Sequence, residues 1–333
     1  IEEGLVGGEG FAIDASFIRA DVARQRYEHG PVDWTPSKRQ SRAVKEYLNL
    51  LDQDEALHRP QKSVSLTDPM AQWTGAKGPA NFFYSTNYLI DVDNNVIMDV
   101  QASPSTQKLE VDTTQTMIER VEVNHRIRPD RLMGDTAYGA ADNLAYLVDE
   151  KQIEPHVPVF EKINRKDGTF SRCDFEWNAD ADEYRCPAGK LLRPRRRNHK
   201  GRGSPVTKAN TIIYRASMTD CRLCPMKQRC CPNMGFRKIT HSIHEAARDV
   251  ARTITGSARY LEVSTRQRKK VEMLFAHMKR HLGFDRLRLR GLHGANDEFL
   301  LVATAQNLRK LAKHLSQPPP GCGVSAPAIL KMA

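Results

Sequence analysis

Residues 81–102 read NFFYSTNYLIDVDNNVIMDVQA. Two strand-like runs, Asn81–Asp91 and Val96–Ala102, flank Asp93-Asn94-Asn95, residue types that tolerate turn backbone angles, so the stretch predicts a β-hairpin. Upstream, Gly10–Ile18 (GFAIDASFI) predicts a short strand with Phe11, Ile13 and Phe17 among its inward positions and Asp14 as an interruption. Ser37–Leu57 reads as helix through Val44, Tyr47, Leu48 and Leu51, and residues 60–80, rich in Pro, Gly, Ser and Thr, as loop. Downstream, Thr106–Asn124 predicts a helix through Leu109, Met117 and Val121, and Arg131–Asp135 a short strand ending in an acid. Ala140–Lys151 reads as helix, and Ile153–Val159 as an edge-like strand because of Pro155 and Pro158. A hairpin mixed with strand–helix–strand crossovers predicts a mixed α/β sheet.

Residues 160–256 break this pattern with a cysteine cluster, many basic residues and few long apolar segments. Helix resumes over Leu261–Leu282 and Glu298–Leu315, and the tail from Ser316, with Pro318-Pro319-Pro320, is expected to be disordered. The expected organisation is a core over 1–159, with a helical insertion at about 19–60. A Cys-rich insertion subdomain over 160–256 follows, then the rest of the core over 257–315 and the tail over 316–333.

The chain has 333 residues, 40% of them hydrophobic, which is ample for a core and, at about 150 residues per domain, suits two domains. Its net charge of +11 is unevenly placed. Residues 1–160 hold 16 basic and 25 acidic side chains (net −9), and the rest holds 35 and 15 (net +20). A basic half beside an acid-rich half suggests polyanion binding joined to something that uses carboxylates. No apolar run approaches the ~20 residues of a membrane span; the best is Phe299–Ala305. Ile1-Glu2-Glu3-Gly4 shows no signal peptide and no initiator Met, which leaves room for a truncated protein. Six of seven cysteines fall between Cys173 and Cys231, unlike a disulfide framework spread over a secreted chain, so a reducing, cytoplasmic setting is expected.

The segment Arg266–Arg290 carries the sharpest pattern. On a helix, Val271, Leu274, Phe275, Met278 and Leu282 form the buried stripe, while Arg268, Glu272, Ala276 and Lys279 follow an adjacent face. One acid thus has a basic residue one turn before it and another two turns after. That suits a carboxylate working beside a phosphate backbone; on spacing alone, ordinary surface salt bridging along a solvated helix is the plainer reading. Asp14 and Asp135 stand at a strand and at a strand end, with Asp91, Asp93 and Asp99 as rivals for the first position. The plain alternatives are a surface acid for Asp14 and a turn cap for Asp135.

Arg268, Glu272 and Lys279, at this spacing, resemble the last-acid signature of bacterial insertion-sequence DDE transposases, with Thr265 where that pattern has Tyr. Gly134-Asp135-Thr136-Ala137-Tyr138 resembles the second-acid motif, and Ala12-Ile13-Asp14-Ala15-Ser16 the first-acid strand, with Asp-Ala in place of the common Asp-Gly. Asp68-Pro69 and the hairpin also match the family's layout, and the similarity covers roughly 10–312. The resemblance implies an RNase H-like mixed sheet flanked by helices, with Asp14, Asp135 and Glu272 holding two Mg²⁺ or Mn²⁺ ions. It implies cleavage of DNA at element ends and strand transfer into target DNA, by a homodimer or larger assembly at the nucleoid. Three converging carboxylates repel one another unless a cation lies between them, and two-metal phosphoryl transfer needs such a set. Arg268 and Lys279 are expected to hold DNA phosphates. The alternatives are an RNase H-like nuclease without strand transfer and a catalytically inactive, zinc-stabilised DNA-binding protein descended from a transposase.

Two further features stand outside that triad. Cys221-Arg-Leu-Cys224, Cys230 or Cys231, and Cys186 before a Pro-Ala-Gly turn are a candidate tetrahedral Zn²⁺ set (Cys186, Cys221, Cys224, Cys230), the alternative being reduced thiols packing a small subdomain. Residues 193–208 contain Arg193, Arg195, Arg196, Arg197, Lys200, Arg202 and Lys208 and no acid, which suits sequence-independent phosphate contact or a merely solvated loop. Trp177 could stack on a displaced base or fill a minor core.

Overall fold

The computed structural model describes residues 1–23, 25–53, 61–75, 78–105, 107–161, 167–194 and 205–316. The chain divides into two compact units, Ile1–Met133 with Val263–Ala333, and Gly134–Glu262. In chain order the first unit contains β1 (Gly10–Arg19), β2 (Tyr27–His29), α1 (Arg42–Gln53), β3 (Ser63–Ser65), β4 (Gln72–Thr74), β5 (Asn81–Asp91), β6 (Val96–Pro104), α2 (Gln107–His125) and β7 (Arg131–Met133). The second holds α3 (Ala141–Ala145), β8 (Glu154–His156), β9 (Glu176–Asn178), β10 (Glu183–Arg185), β11 (Leu191–Pro194), β12 (Thr211–Arg215), α4 (Met218–Arg222), α5 (Lys227–Cys230), β13 (Lys238–Ser242) and α6 (Glu245–Thr255). The chain then returns to the first unit with α7 (Thr265–His281) and α8 (Gly291–Leu315).

In the first unit β5 runs antiparallel to β1 from Phe11↔Asp91 to Arg19↔Phe83. Its other side pairs with β6 along Tyr84–Asp91 and with β4 at Asn81–Phe83. β7 joins β1 in parallel, with Ala12 opposite Met133. This mixed α/β arrangement is compatible with an RNase H-like fold. The strand that Asp14 was expected to interrupt runs straight through it, because its backbone is held by β5 whatever the side chain. The hairpin turn is closed by the buried Asp91 carboxylate, which accepts the N–H groups of Gly8 (2.8 Å), Asp93 (3.1 Å) and Asn94 (3.4 Å).

Ala12, Ile18, Tyr84, Tyr88 and Ile90 meet Val271, Leu274, Phe275 and Met278 of α7 and Ala295, Phe299 and Ala303 of α8 in one core. At about 1.5–3 kcal/mol for each large apolar side chain buried, this contact dominates the unit's stability. Asn307 accepts the Ile97 N–H at 2.9 Å and donates to its carbonyl at 2.8 Å, and Asn296 accepts the Ala102 N–H at 3.0 Å. α8 therefore hydrogen-bonds the backbone of β6 from the side away from β5.

α8 begins at Gly291, two turns before the expected start at Glu298. Carboxylates of Asp68 and Glu46, and of Glu298 within the helix, bind the backbone N–H groups at this end. Gly291 N–H donates to Asp68 Oδ2 (3.1 Å), His293 N–H to Glu46 Oε1 (2.8 Å), and the Arg288 and Leu289 N–H groups to Glu298 Oε1. Gly291 has φ +83°, and a Cβ there would stand 2.4 Å from Glu46 Oε2, so glycine is required. Residues 60–80, expected as loop, include β3 and β4, which pair with β2 and β5. Among the described residues no helix is long and apolar enough to cross a membrane.

The second unit's sheet is antiparallel in the order β13-β12-β11-β10-β9. Tyr184, Leu192, Tyr214 and Ile239 lie on one of its faces and join Phe175, Ala216, Cys230 and Cys231 in a small core. The segment had looked poor in apolar runs because each of these strands is only three to five residues long. The expected disorder from Ser316 concerns residues that, beyond 316, lie outside the described ones.

Asp68 is buried, accepts the Tyr84 hydroxyl at 2.6 Å, and is pushed up from 3.8 to about 6 by burial, against these hydrogen bonds. The folded state therefore holds the proton more tightly than the unfolded chain. The stability this group contributes is present below about pH 4 and is lost as pH rises to about 6, up to about 3 kcal/mol. Urea titrations across pH 4–6.5 should show that loss in the parent protein and a flatter profile in Asp68→Asn; parallel profiles would refute the assignment.

Candidate functional site

Asp14 sits at the middle of β1, opposite Tyr88. Strand alternation places Ala12, Asp14, Ser16 and Ile18 on one face. Ala12 and Ile18 are buried in the core that α7 and α8 complete, so Asp14 and Ser16 open towards the same side. Asp14 is half-buried, and its Oδ1 accepts the Ala15 N–H at 2.8 Å, which fixes the carboxylate's orientation.

α7 lies along this face and is tied to the sheet near both ends. Lys270 Nζ donates to the Val92 carbonyl, and Lys279 Nζ donates to Ser16 Oγ (2.7 Å) and to the Phe17 carbonyl (3.1 Å). Between them Phe275 packs on Tyr88, ring centroids 4.8 Å apart. The Tyr88 hydroxyl donates to Gln306 Oε1 at 3.0 Å, linking α8 to the same point. Beyond α7, Arg19 N–H donates to the Asp285 carbonyl (3.2 Å) and Leu287 N–H to the Arg19 carbonyl (2.8 Å), so the chain leaving the helix is stitched to the end of β1. Glu272 precedes Lys279 by seven residues, close to two helical turns, and so shares its flank. Glu272 is exposed, and Arg268, one turn earlier, is half-buried. Within the first unit, then, Asp14 and the flank of α7 that carries Glu272 share one side of the sheet. Lys279, expected on DNA phosphates, is also the tether of α7 to β1.

Asp135 belongs to the second unit. It caps the single helical turn Thr136–Tyr138, its Oδ1 accepting the Ala137 N–H at 2.7 Å. Two of the three rivals for the first acid have structural partners: Asp91 closes the hairpin, and Asp99 binds Arg120 at 2.7 Å. Arg195, Arg196 and Arg197 lie outside the described residues; the neighbouring Arg193 is exposed and pairs with Glu183 at 2.9 Å. Among the described residues no group of three or more His, Cys, Asp or Glu side chains stands ready to hold a metal ion.

Cys186, Cys221, Cys224, Cys230 and Cys231 line one pocket with a void of about 20 Å³, together with Lys190, Lys227 and Arg237. All are free thiols, and Cys173 is exposed. Trp177, 38% exposed, packs on Tyr184, Tyr214 and His241 at centroid distances of 4.6, 5.2 and 4.4 Å. Tyr184 Oη lies 2.7 Å from His241 Nδ1, and burial lowers the His241 pKa.

The sequence reading missed an ionic network in the second unit. Glu161 binds Arg248 (2.6 Å) and Arg252 (2.7 Å), while Glu245 binds Arg172 (2.9 Å), Arg248 (2.8 Å) and Arg252 (2.8 Å). The signal was present as Glu245, Arg248 and Arg252 on one face of α6. Burial disfavours charged Glu245, yet the arginines overcome it and hold its carboxyl down at about 2.

Residues 185–312 match the family model of the transposase DDE domain. The matched stretch includes Arg268, Glu272, Lys279 and the Cys186–Cys230 set, but neither Asp14 nor Asp135. It bears out the resemblance to insertion-sequence DDE transposases read from the motifs. No curated protein and no solved structure matches the chain.

Replacing Lys279 by Met removes two charge-assisted hydrogen bonds and should cost about 1.5–3 kcal/mol. Ser16→Ala should cost less, and a double-mutant cycle by urea denaturation should give non-additive losses; strict additivity would mean the contact contributes nothing. Glu245→Gln leaves partly buried guanidinium groups short of a counter-charge and should destabilise by about 3 kcal/mol at neutral pH. Because Glu245 is depressed, its contribution is complete above about pH 4.5 and is lost as pH falls towards 2. Equal acid sensitivity of parent and Glu245→Gln would contradict this.

Proposed function

We propose that this chain is a DDE transposase that cleaves DNA at the ends of a mobile element and joins the freed 3′ ends to target DNA, with Asp14, Asp135 and Glu272 as its catalytic carboxylates. The observation that carries this reading is the tether of Lys279 to Ser16. It holds the helix bearing Glu272 against the strand face bearing Asp14, within a mixed sheet of the compatible order. The family match over 185–312 supports it from the sequence side.

The donor set suits hard divalent cations, since carboxylate oxygens are the ligands Mg²⁺ and Mn²⁺ favour. Asp14 and Asp135 each accept a backbone N–H on Oδ1, an orientation that suits a coordinating carboxylate. Two such cations would activate the attacking oxygen and stabilise the leaving one. Arg268 and the basic stretch at 193–208, with Arg195, Arg196 and Arg197, would grip phosphates without reading bases. Lys279 adds positive charge to the flank of α7 that carries Glu272. The protein would act as a homodimer or larger assembly on paired ends, at the nucleoid.

The test is cleavage of a supercoiled plasmid carrying the element's ends, with Mn²⁺ or Mg²⁺. The parent protein should nick it and join a pre-cut end to a second plasmid, and Glu272→Gln should lose at least about 100-fold in rate, as expected when several kcal/mol of metal-borne stabilisation is removed. Nicking without joining would favour an RNase H-like nuclease. DNA binding with no metal-dependent cleavage by the parent would favour a non-catalytic DNA-binding protein.

A further inference from the structure

The five short strands of the second unit surround a core of few side chains, and small cores of this kind commonly need a staple. Five of the chain's seven cysteines line one void beside that core: Cys186 from the turn after β10, Cys221 and Cys224 from α4 and the turn after it, and Cys230 and Cys231 from the end of α5. The first loop is Cys186-Pro187-Ala188-Gly189-Lys190. It closes through Gly189 N–H to the Cys186 carbonyl (2.8 Å) and Cys186 N–H to the Lys190 carbonyl (2.8 Å), with Gly189 at φ +74°. That turn aims the Lys190 N–H at Cys186 Sγ, 3.3 Å away. The second loop is Cys221–Cys224, in which Cys224 N–H donates to the Cys221 carbonyl (3.4 Å). Thiol sulfur is a weak acceptor, so a backbone N–H directed at the Cys186 sulfur is the kind of contact that orients a thiolate ligand.

The surrounding charge agrees. Lys190, Lys227 and Arg237 line the same pocket, against one acid, Asp220. Arg237 is 6% exposed, and its guanidinium donates to the Cys230 carbonyl at 2.9 Å and to the Phe170 carbonyl at 2.8 Å. A zinc ion with four thiolates carries a net charge of about −2, and buried positive charge around it is the counterpart such a centre needs.

We propose that Cys186, Cys221, Cys224 and Cys230 form a structural Zn²⁺ site that staples the β10–β11 turn to the α4–α5 segment. The thiols line the void without standing at ligand spacing, so binding draws them inward to Zn–S distances of about 2.3 Å. Cys231 lines the void as a neighbour, and Cys173 takes no part. A tetrathiolate site is closed, so its role is to fix the fold and not to carry out the phosphoryl transfer proposed above.

The experiment uses the full chain, purified under reducing conditions. Zinc content after dialysis should be about one per chain, released by a thiol-modifying mercurial. Titration of metal-free protein with Co²⁺ should give the intense near-ultraviolet sulfur-to-cobalt band of thiolate coordination, whatever the behaviour of any variant. Cys186→Ser and Cys224→Ser should lose the zinc at least tenfold more readily to a chelator, while Cys173→Ser and Cys231→Ser retain it. Absence of both retained zinc and the cobalt band in the parent protein overturns the proposal, and loss of zinc from Cys231→Ser overturns the assignment of Cys230.

Discussion

The antiparallel ladder between β1 and β5, nine residue pairs from Phe11–Asp91 to Arg19–Phe83, is the constraint on which the first unit depends. Side chains alternate along β1, so a slip of one residue would send Phe11, Ile13 and Phe17 to the face now occupied by Ala12, Asp14, Ser16 and Ile18. Asp14 would then leave the side on which α7 lies. The hairpin guards the register at one end through Asp91, whose carboxylate gathers three N–H groups. At the other end, the hydrogen bonds of Arg19 with the Asp285–Leu287 segment guard it. Small residues at Ala12 and Ser16 then let a helix approach the strand closely enough for a lysine to reach it.

That closeness is reinforced by polar contacts placed where apolar packing alone would allow sliding. Dispersion and burial favour contact but are nearly indifferent to a shift along the helix axis. Lys270 and Lys279, nine residues apart, grip the strand region at two levels and set the axial position of Glu272. α8 is positioned by a different device, the convergence of Asp68, Glu46 and Glu298 around its first turn. Its N-terminal N–H groups and dipole favour negative charge there. The cost is a carboxyl at Asp68 that is less willing to ionise.

The parts legible in the sequence were those governed by local chemistry. Asp93-Asn94-Asn95 announced a turn, and the hairpin strands fell within two residues of their expected ends. α7 was legible because Val271, Leu274, Phe275 and Met278 repeat at helical spacing. The start of α8 was not, because carboxylates distant in sequence make Gly291 acceptable there. The second unit's sheet was also missed, since strands of three to five residues leave no alternation to read. For the site, the residue types of Asp14 and Glu272 and their elements could be read. The Lys279–Ser16 contact, 263 residues apart, could not, since no spacing rule links those positions. The ionic network of Glu161 and Glu245 was hidden for the same reason, although half of it lies within α6.

The two asparagines of α8 bear on how the protein behaves in a crowd. A strand with a bare outer backbone is an invitation for another chain to add its own strand, and chains that do so grow into aggregates. β6 would be such a strand, but Asn307 occupies both the N–H and the carbonyl of Ile97, and Asn296 occupies the N–H of Ala102. They stand eleven residues apart on the helix, about three turns. Two side-chain amides thus imitate a neighbouring strand, and the sheet ends where the helix says it ends. Replacing both asparagines by leucine would keep the bulk and remove the imitation, leaving an adhesive border on an otherwise intact fold.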